Sequence, residues 1–178
     1  MSSSPTLKTF PTLTSERLIL RNVLESDALA ILNLRSNELV TQYIDRTKMK
    51  SEKEALKFIF DRKKDNAENT LFYWGITLKT TEKLIGTVCL WNISDDRKYA
   101  EIGYDLIPEY HHKGYMNEAI INVVEFGFKE TNFTTIEAFT SFKNKSSIKL
   151  LEKNNFKLQK DRRDEGFPNN RIYTLKSN

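Results

Sequence analysis

Cysteine is almost missing from this chain. Cys89 is the single one among 178 residues, so no intramolecular disulfide can form and a disulfide-stapled secreted scaffold is excluded. Histidine is just as scarce, with His111 and His112 side by side, so the spaced Cys/His sets that hold zinc are absent and no metal site is expected. Six glycines and four prolines are too few for a collagen-like or low-complexity chain. No apolar run approaches the ~20 residues of a membrane helix, and Met1 to Pro11 lack the apolar core of a signal peptide. A soluble, untargeted chain in a reducing cytoplasm is the expectation. The net charge of +4 is spread over interleaved acids and bases, without the basic block or aromatic-lined stripe of nucleic-acid binders. Neither a membrane nor a direct nucleic-acid partner is therefore expected, although a pI near 9.0 leaves nucleic-acid binding as a weak alternative.

What is present is a hydrophobic fraction of 39% and an aromatic fraction of 11%, enough for a packed core at the length of one domain. That domain is expected over residues 12–176, after a short arm at 1–11. Residues 17–21 read as a strand, and Ser26 or Asp27 can cap a helix running through Leu34. Ser51 and Glu54 have capping-box spacing ahead of a second helix. Three strand-like runs, 71–78, 84–93 and 99–107, suggest an antiparallel meander. After Pro108, residues 115–130 place Met116, Ala119, Ile120, Val123, Val124 and Gly127 on one helical stripe, with Glu118, Asn122, Glu125 and Lys129 on the other. A strand at 134–139, a short helix at 146–153 and strands at 156–163 and 171–175 complete the chain. The order β-α-α-β-β-β-α-β-α-β-β predicts an α/β domain with a mixed sheet.

One stretch carries chemistry on local grounds. Residues 110–115 lead from a strand into the amphipathic helix through Gly114, so backbone N–H groups and the positive end of a helix dipole converge where a pyrophosphate could bind. Gly114 would let the backbone approach the anion, and Lys113 would add charge. An ordinary strand-to-helix turn is the alternative reading.

Glu101-Ile102-Gly103-Tyr104, then Pro108, then His111-His112-Lys113-Gly114-Tyr115-Met116-Asn117-Glu118-Ala119 resemble the acetyl-CoA signature of the GNAT superfamily, Q/R-x-x-G-x-G/A. Asn144-Lys145-Ser146-Ser147 through Leu151-Glu152-Lys153-Asn154-Asn155-Phe156 resembles that family's N-x-x-S-x-x-x-L-E-K-x-G-F segment. Two motifs in the right order, ~30 residues apart, are far more specific than either alone. Residues 17–21 and Leu84-Ile85-Gly86-Thr87 extend the likeness to the branch of ribosomal-protein N-terminal acetyltransferases, over about residues 12–176. The sequence departs from the pattern at His111, where Gln or Arg is usual, at Met116 in place of a small residue, at Asn155 in place of a helix-ending Gly, and at Leu151, where many members carry a tyrosine that reprotonates the thiolate. A core orientation is expected for Met116, and Asn155 suits a left-handed cap.

The resemblance implies a GNAT-like single domain, with about seven strands flanked by about four helices and acetyl-CoA as co-substrate between two parallel strands that splay. It implies that acetyl-CoA meets Leu106, Ile107, His111, His112, Lys113, Gly114, Tyr115, Met116, Asn144 and Ser147, with backbone groups of Leu106 and Ile107 pairing with the pantetheine arm. Glu101 is the candidate base, against the alternative of a solvent-facing strand glutamate. Ser147 or Asn144 is the candidate proton source for the thiolate, against the alternative that both merely cap a helix. Trp74, Trp91 and Tyr43 are candidates for an acceptor pocket, although strand aromatics more often pack. An α-amine, with a pKa of ~7.7 to 8.0 against ~10.4 for lysine, needs less base assistance and suits a chain with few bases. The expected partner is thus an amine-bearing protein or peptide N-terminus, with a small amine, a non-catalytic acyl-CoA-binding role and a homodimer as open alternatives.

Overall fold

In the computed structural model, which describes Leu7 and residues 9–177, the first strands are β1 (Leu13–Thr14) and β2 (Leu18–Arg21). Most of the expected arm at residues 1–11 lies outside the described residues. Three helices follow: α1 (Ala28–Ser36), α2 (Glu38–Thr41) and α3 (Glu52–Glu68). Then come β3 (Phe72–Leu78), β4 (Leu84–Trp91), β5 (Tyr99–Leu106), α4 (Tyr115–Lys129), β6 (Thr135–Ser141), α5 (Lys145–Lys153), β7 (Lys157–Leu158) and β8 (Asn170–Lys176).

Local chemistry sets the helix ends. The Ser51 hydroxyl accepts from the Glu54 amide at 3.3 Å, while the Glu54 carboxylate reaches the Lys50 amide, one residue before the N–H that a capping box would use. Asn69, at φ 56°, closes α3 in the left-handed region that asparagine tolerates. Asn155, at φ 64°, does the same just past α5, so the residue that stands for glycine there adopts the glycine conformation.

The strands form one sheet in the order β1-β2-β3-β4-β5-β6-β8-β7, antiparallel everywhere except between β5 and β6. This is the expected α/β mixed sheet, with two small additions. β1 has two residues and α2 is a single turn capped by Asn37, both too short to leave a periodic signal. The strand expected at 156–163 keeps only Lys157 and Leu158, because the chain then leaves the sheet edge and returns Arg162 to a carboxylate on β6. Among the described residues, no helix is long and apolar enough to cross a membrane.

β3 is buried on both faces. Phe72, Trp74 and Ile76 pack with Val123 and Phe126 of α4, whereas Tyr73 joins Ile31 of α1 and Ala55 and Ile59 of α3 on the opposite face. The α4 stripe faces the core as expected, with Phe126 edge-on to Phe72 at 5.2 Å. Trp74 is wholly buried and donates its indole N–H to the Pro11 carbonyl at 2.9 Å, which removes it from any acceptor pocket.

Candidate active site

β5 and β6 pair in parallel at Tyr99↔Thr135, Ala100↔Ile136 and Glu101↔Glu137, and there the ladder stops. Residues 102–106 and 138–141 run on without a bond between them. The Ile107 amide donates to the Ile85 carbonyl at 2.8 Å, and antiparallel alternation then turns the amides of Ile102, Tyr104 and Leu106 toward β6, where the ladder offers them nothing. Of the expected pair, Ile107 is therefore already committed to β4, and Leu106 keeps a free N–H. His111 donates from Nε2 to the Leu106 carbonyl at 2.8 Å, which ties the loop after β5 to the edge of this gap.

That loop is shaped by two left-handed residues, His112 at φ 59° and Gly114 at φ 81°. Gly114 is the N-cap of α4 and offers no side chain to the first turn. The amides of residues 112–117 have no hydrogen-bond partner among the described residues, and the first turn of any helix leaves its donors unpaired. They are a run of unpaired donors at the positive end of a 15-residue helix. Arg17 braces them: its Nε donates to Glu118 at 2.8 Å, its Nη1 to the Lys113 carbonyl at 3.0 Å, and its guanidinium lies 4.5 Å above the Tyr115 ring. Burial alone would raise the Glu118 pKa, but bonds from Ser15 and Arg17 outweigh it and hold the carboxyl below its usual range. An added Cβ on Gly114 would stand 3.3 Å from Arg17 Nη2. Met116 turns into the core, 8% exposed, and does not crowd the loop.

Across the gap stands α5. Asn144 is its N-cap and accepts from the Ser147 amide at 3.1 Å, so its side-chain oxygen is spent on positioning Ser147. The Ser147 hydroxyl meets the Tyr104 hydroxyl at 2.8 Å. Burial pushes the Tyr104 phenol up to about 12, against the opposing effect of the Ser147 bond. A phenol held neutral is a standing donor, which leaves the Ser147 proton free to point elsewhere. Leu151, at the position where the resemblance leads one to expect a tyrosine, is fully buried in the core.

Glu101 lies on the opposite face, half-buried. Asn92 Nδ2 donates to it at 2.5 Å, and the Tyr99 hydroxyl reaches it at 3.4 Å and Glu137 at 3.3 Å. Asn92 adopts φ 47° to do so. Burial raises the Glu101 pKa; Asn92 and Tyr99 pull it back only in part, and the charges of Asp164 and Glu137 add to the rise. Glu137 is the contrasting neighbour. Burial also lifts it, but Arg162 grips it bidentately, with one bond of 2.9 Å, and Thr174 donates at 2.6 Å, so its pKa falls. Trp91, 46% exposed, pairs with Glu101 across β4 and β5, and its ring edge, with Cys89 Sγ, borders the face of Gly103.

The structure thus gathers Leu106, His111, His112, Lys113 and Gly114 along one edge of the gap and Ser147 along the other, and leaves Glu101 on the far face of β5. Sequence reasoning missed Arg17, Asn92, Tyr104 and Glu137. For Tyr104, period-two alternation along β5 was the available signal, since it places residue 104 on the face opposite Glu101. Two cavities of about 510 and 480 Å³ line α1 through Ser26, Ala30 and Lys83, and neither includes Glu101, Ser147 or Gly114.

The family model for the acetyltransferase (GNAT) domain matches residues 17–157. The uncharacterized N-acetyltransferase YoaA of Bacillus subtilis is 36% identical over 147 residues, covering 83% of each chain. The uncharacterized N-acetyltransferase p20 of Bacillus licheniformis is 33% identical over 150 residues, covering 84% of this chain and 83% of its own. Among solved structures, the ribosomal-protein-S5-alanine acetyltransferase of Vibrio fischeri superposes with a TM-score of 0.81 at 22% identity, covering 93% of this chain and 96% of the other. A ribosomal L7/L12 α-N-protein acetyltransferase in complex with coenzyme A gives 0.81 at 18% identity, covering 93% and 98%, a likeness of fold.

Proposed function

The chain belongs to the GNAT acetyltransferase family and is an acyl-CoA-dependent N-acetyltransferase, and from that premise we propose that it moves acetyl from acetyl-CoA directly to the α-amine of a protein or peptide N-terminus, such as that of a ribosomal protein. The observation that carries this reading is the row of unpaired amides at residues 112–117, opening beside the unpaired edges of β5 and β6.

On this reading the diphosphate of acetyl-CoA lies on the amides around Gly114, within reach of the Arg17 guanidinium, and its pantetheine arm fills the gap between β5 and β6. The free N–H groups of Leu106, Tyr104 and Ile102 pair with the arm and with the thioester oxygen as charge develops there. Glu101, its basicity raised by burial, takes the amine proton directly or through a water. The amine nitrogen then attacks the thioester carbon, and the C–S bond breaks as the carbonyl re-forms. Ser147, oriented by Tyr104 and by its Asn144-capped amide, hands its proton to the leaving thiolate and regains one, through water, from the nitrogen, which sheds its second proton as it becomes the amide. The products are an amide and free CoA thiol.

Two features favour an α-amine as acceptor: it is partly neutral near pH 7, and one modest base faces the groove. A thiol-release assay over free N-terminal peptides, their N-acetylated counterparts, lysine analogues and polyamines tests the proposal. Release is expected with free N-terminal peptides and lost when the terminus is blocked. Faster turnover of a polyamine would transfer the reading to small amines. Acetyl-CoA binding without release against any acceptor would reduce the chain to a binding module.

A further inference from the structure

Two guanidinium groups, those of Arg35 and Arg46, lie on the Glu101 side of the sheet, and the carboxylate of Asp105 is paired with Arg46 alone. Asp105, 8% exposed, accepts from Arg46 Nη2 at 2.9 Å and from the Thr87 hydroxyl at 2.5 Å. Arg46 belongs to the segment between α2 and α3, and its Nε is buried without a partner. Arg35, in the last turn of α1, lies 4.2 Å above the Phe58 ring and has no hydrogen-bonded acceptor for its side chain among the described residues. Burial first, and then the charge of Arg46, depress its pKa, while Tyr73 and Asp105 oppose this. Arg62, which also stacks on Phe58, has a counter-charge in Asp65, bonded at 2.9 and 2.5 Å. The remaining titratable neighbours, Tyr73 and Cys89, are pushed upward by burial and stay neutral near pH 7. One half-buried positive charge is therefore left without a counter-charge, an arrangement that disfavours the empty site and rewards an incoming anion.

Its place on the sheet says what that anion would belong to. Asp105 and Glu101 are on the same strand and the same face, four residues apart, or about 13 Å at strand rise. Between them is Gly103, which adds no side chain of its own, so the surface there is set by Cys89 and Trp91 of β4, 3.2 and 3.6 Å from where a Cβ would stand. An extended peptide advances about 3.3 to 3.6 Å per residue, which brings its first few residues from Glu101 to the arginines. We propose that Arg35, with Arg46 behind it, is an anion-binding site for the acceptor, selecting peptides whose free N-terminus is followed by Asp or Glu within the first four residues. This rests on the N-terminal acceptor reading and narrows it.

A cation in the last turn of a helix is also favoured by the dipole of α1, and the test separates the two roles. Amidated five-residue peptides with a free serine terminus and one Asp at position two, three or four, each matched to its Asn isostere, are titrated calorimetrically into the full chain saturated with CoA and then used for thiol release. At one position the Asp peptide is expected to bind about tenfold more tightly than the Asn peptide, an advantage that shrinks with salt. Arg35→Gln removes the advantage and leaves affinity for the Asn peptides and for acetyl-CoA unchanged, while Arg35→Lys keeps part of it. A purely structural arginine would instead change all peptides alike. Equal binding of Asp and Asn peptides at every position, no binding of either, or discrimination that survives Arg35→Gln overturns the site. The wild-type comparison decides the matter even if Arg35→Gln does not fold. Discrimination without thiol release keeps the anion site and removes the transferase reading, whereas release without discrimination does the reverse.

Discussion

Single side chains set the proton traffic. Glu101→Gln is expected to lower kcat/KM by about 10²-fold at neutral pH with acetyl-CoA affinity unchanged, measured by thiol release and calorimetry. The sign of the accompanying pH effect follows from burial. A carboxyl whose folded pKa is raised favours the folded state only while protonated, and that contribution is lost as pH rises through the folded pKa. The Gln variant should therefore melt higher than wild type near pH 7, and the difference should vanish as the medium is acidified below that pKa. The rate of the wild type should fall over the same acid range. Tyr104→Phe tests the other proton: a loss of about tenfold in kcat with KM for acetyl-CoA unchanged is expected, and Ser147→Ala should mask any further effect of Tyr104→Phe in the double variant. Cys89 is an internal control. Burial pushes its thiol up to about 12, too basic to supply a thiolate near pH 7, so Cys89→Ala should keep its rate and no acetylated cysteine should appear in mass spectra.

At the scale of elements, the decisive piece is the start of α4, held by the turn between β1 and β2, far away in sequence. Gly114→Asp puts a like charge and a side chain at φ 81° where the diphosphate would lie, and should abolish acetyl-CoA binding measured by calorimetry. Arg17→Gln should weaken that binding about five- to tenfold while leaving the acceptor KM unaltered, since its contacts are all with the loop and with Glu118. What sequence alone revealed has the same division. The stripe of α4, the Ser51 cap and the left-handed aptitude of Asn155 are local properties, readable from spacing and residue type. Arg17 and Glu118 are 101 positions apart and Tyr104 and Ser147 are 43 apart, and no local pattern announces such a pair. The strand read at 156–163 failed for a related reason, because Arg162 answers a buried Glu137 that no neighbouring residue foretells. That the Ile107 amide bonds to β4 was likewise beyond a local reading, because the phase of the β4–β5 ladder is fixed by pairing across strands.

For the whole molecule, the sheet separates the two groups of candidate residues. The donor loop and Ser147 lie toward the side covered by α4 and α5, and Glu101, Trp91 and Gly103 lie on the side of α1 and α3. Both partners must be present before nitrogen meets carbon, so initial-rate plots against either substrate should intersect to the left of the ordinate, and parallel lines would indicate an acetyl-enzyme instead.

Among the described residues, three register pairs and the adjoining bonds from the Thr134 and Thr135 amides to the Lys98 carbonyl join β5 to β6, and past Glu101 and Glu137 the two strands share no backbone bond. The molecule is in effect two plates on a short weld, and the missing rungs have to come from outside the polypeptide. A bound coenzyme arm would act as mortar. Deuterium uptake at Ile102, Tyr104 and Leu106 should slow on adding acetyl-CoA, while the already bonded amides of β3 keep their rates. This short parallel seam would then be rigid only during the moments when there is work for it.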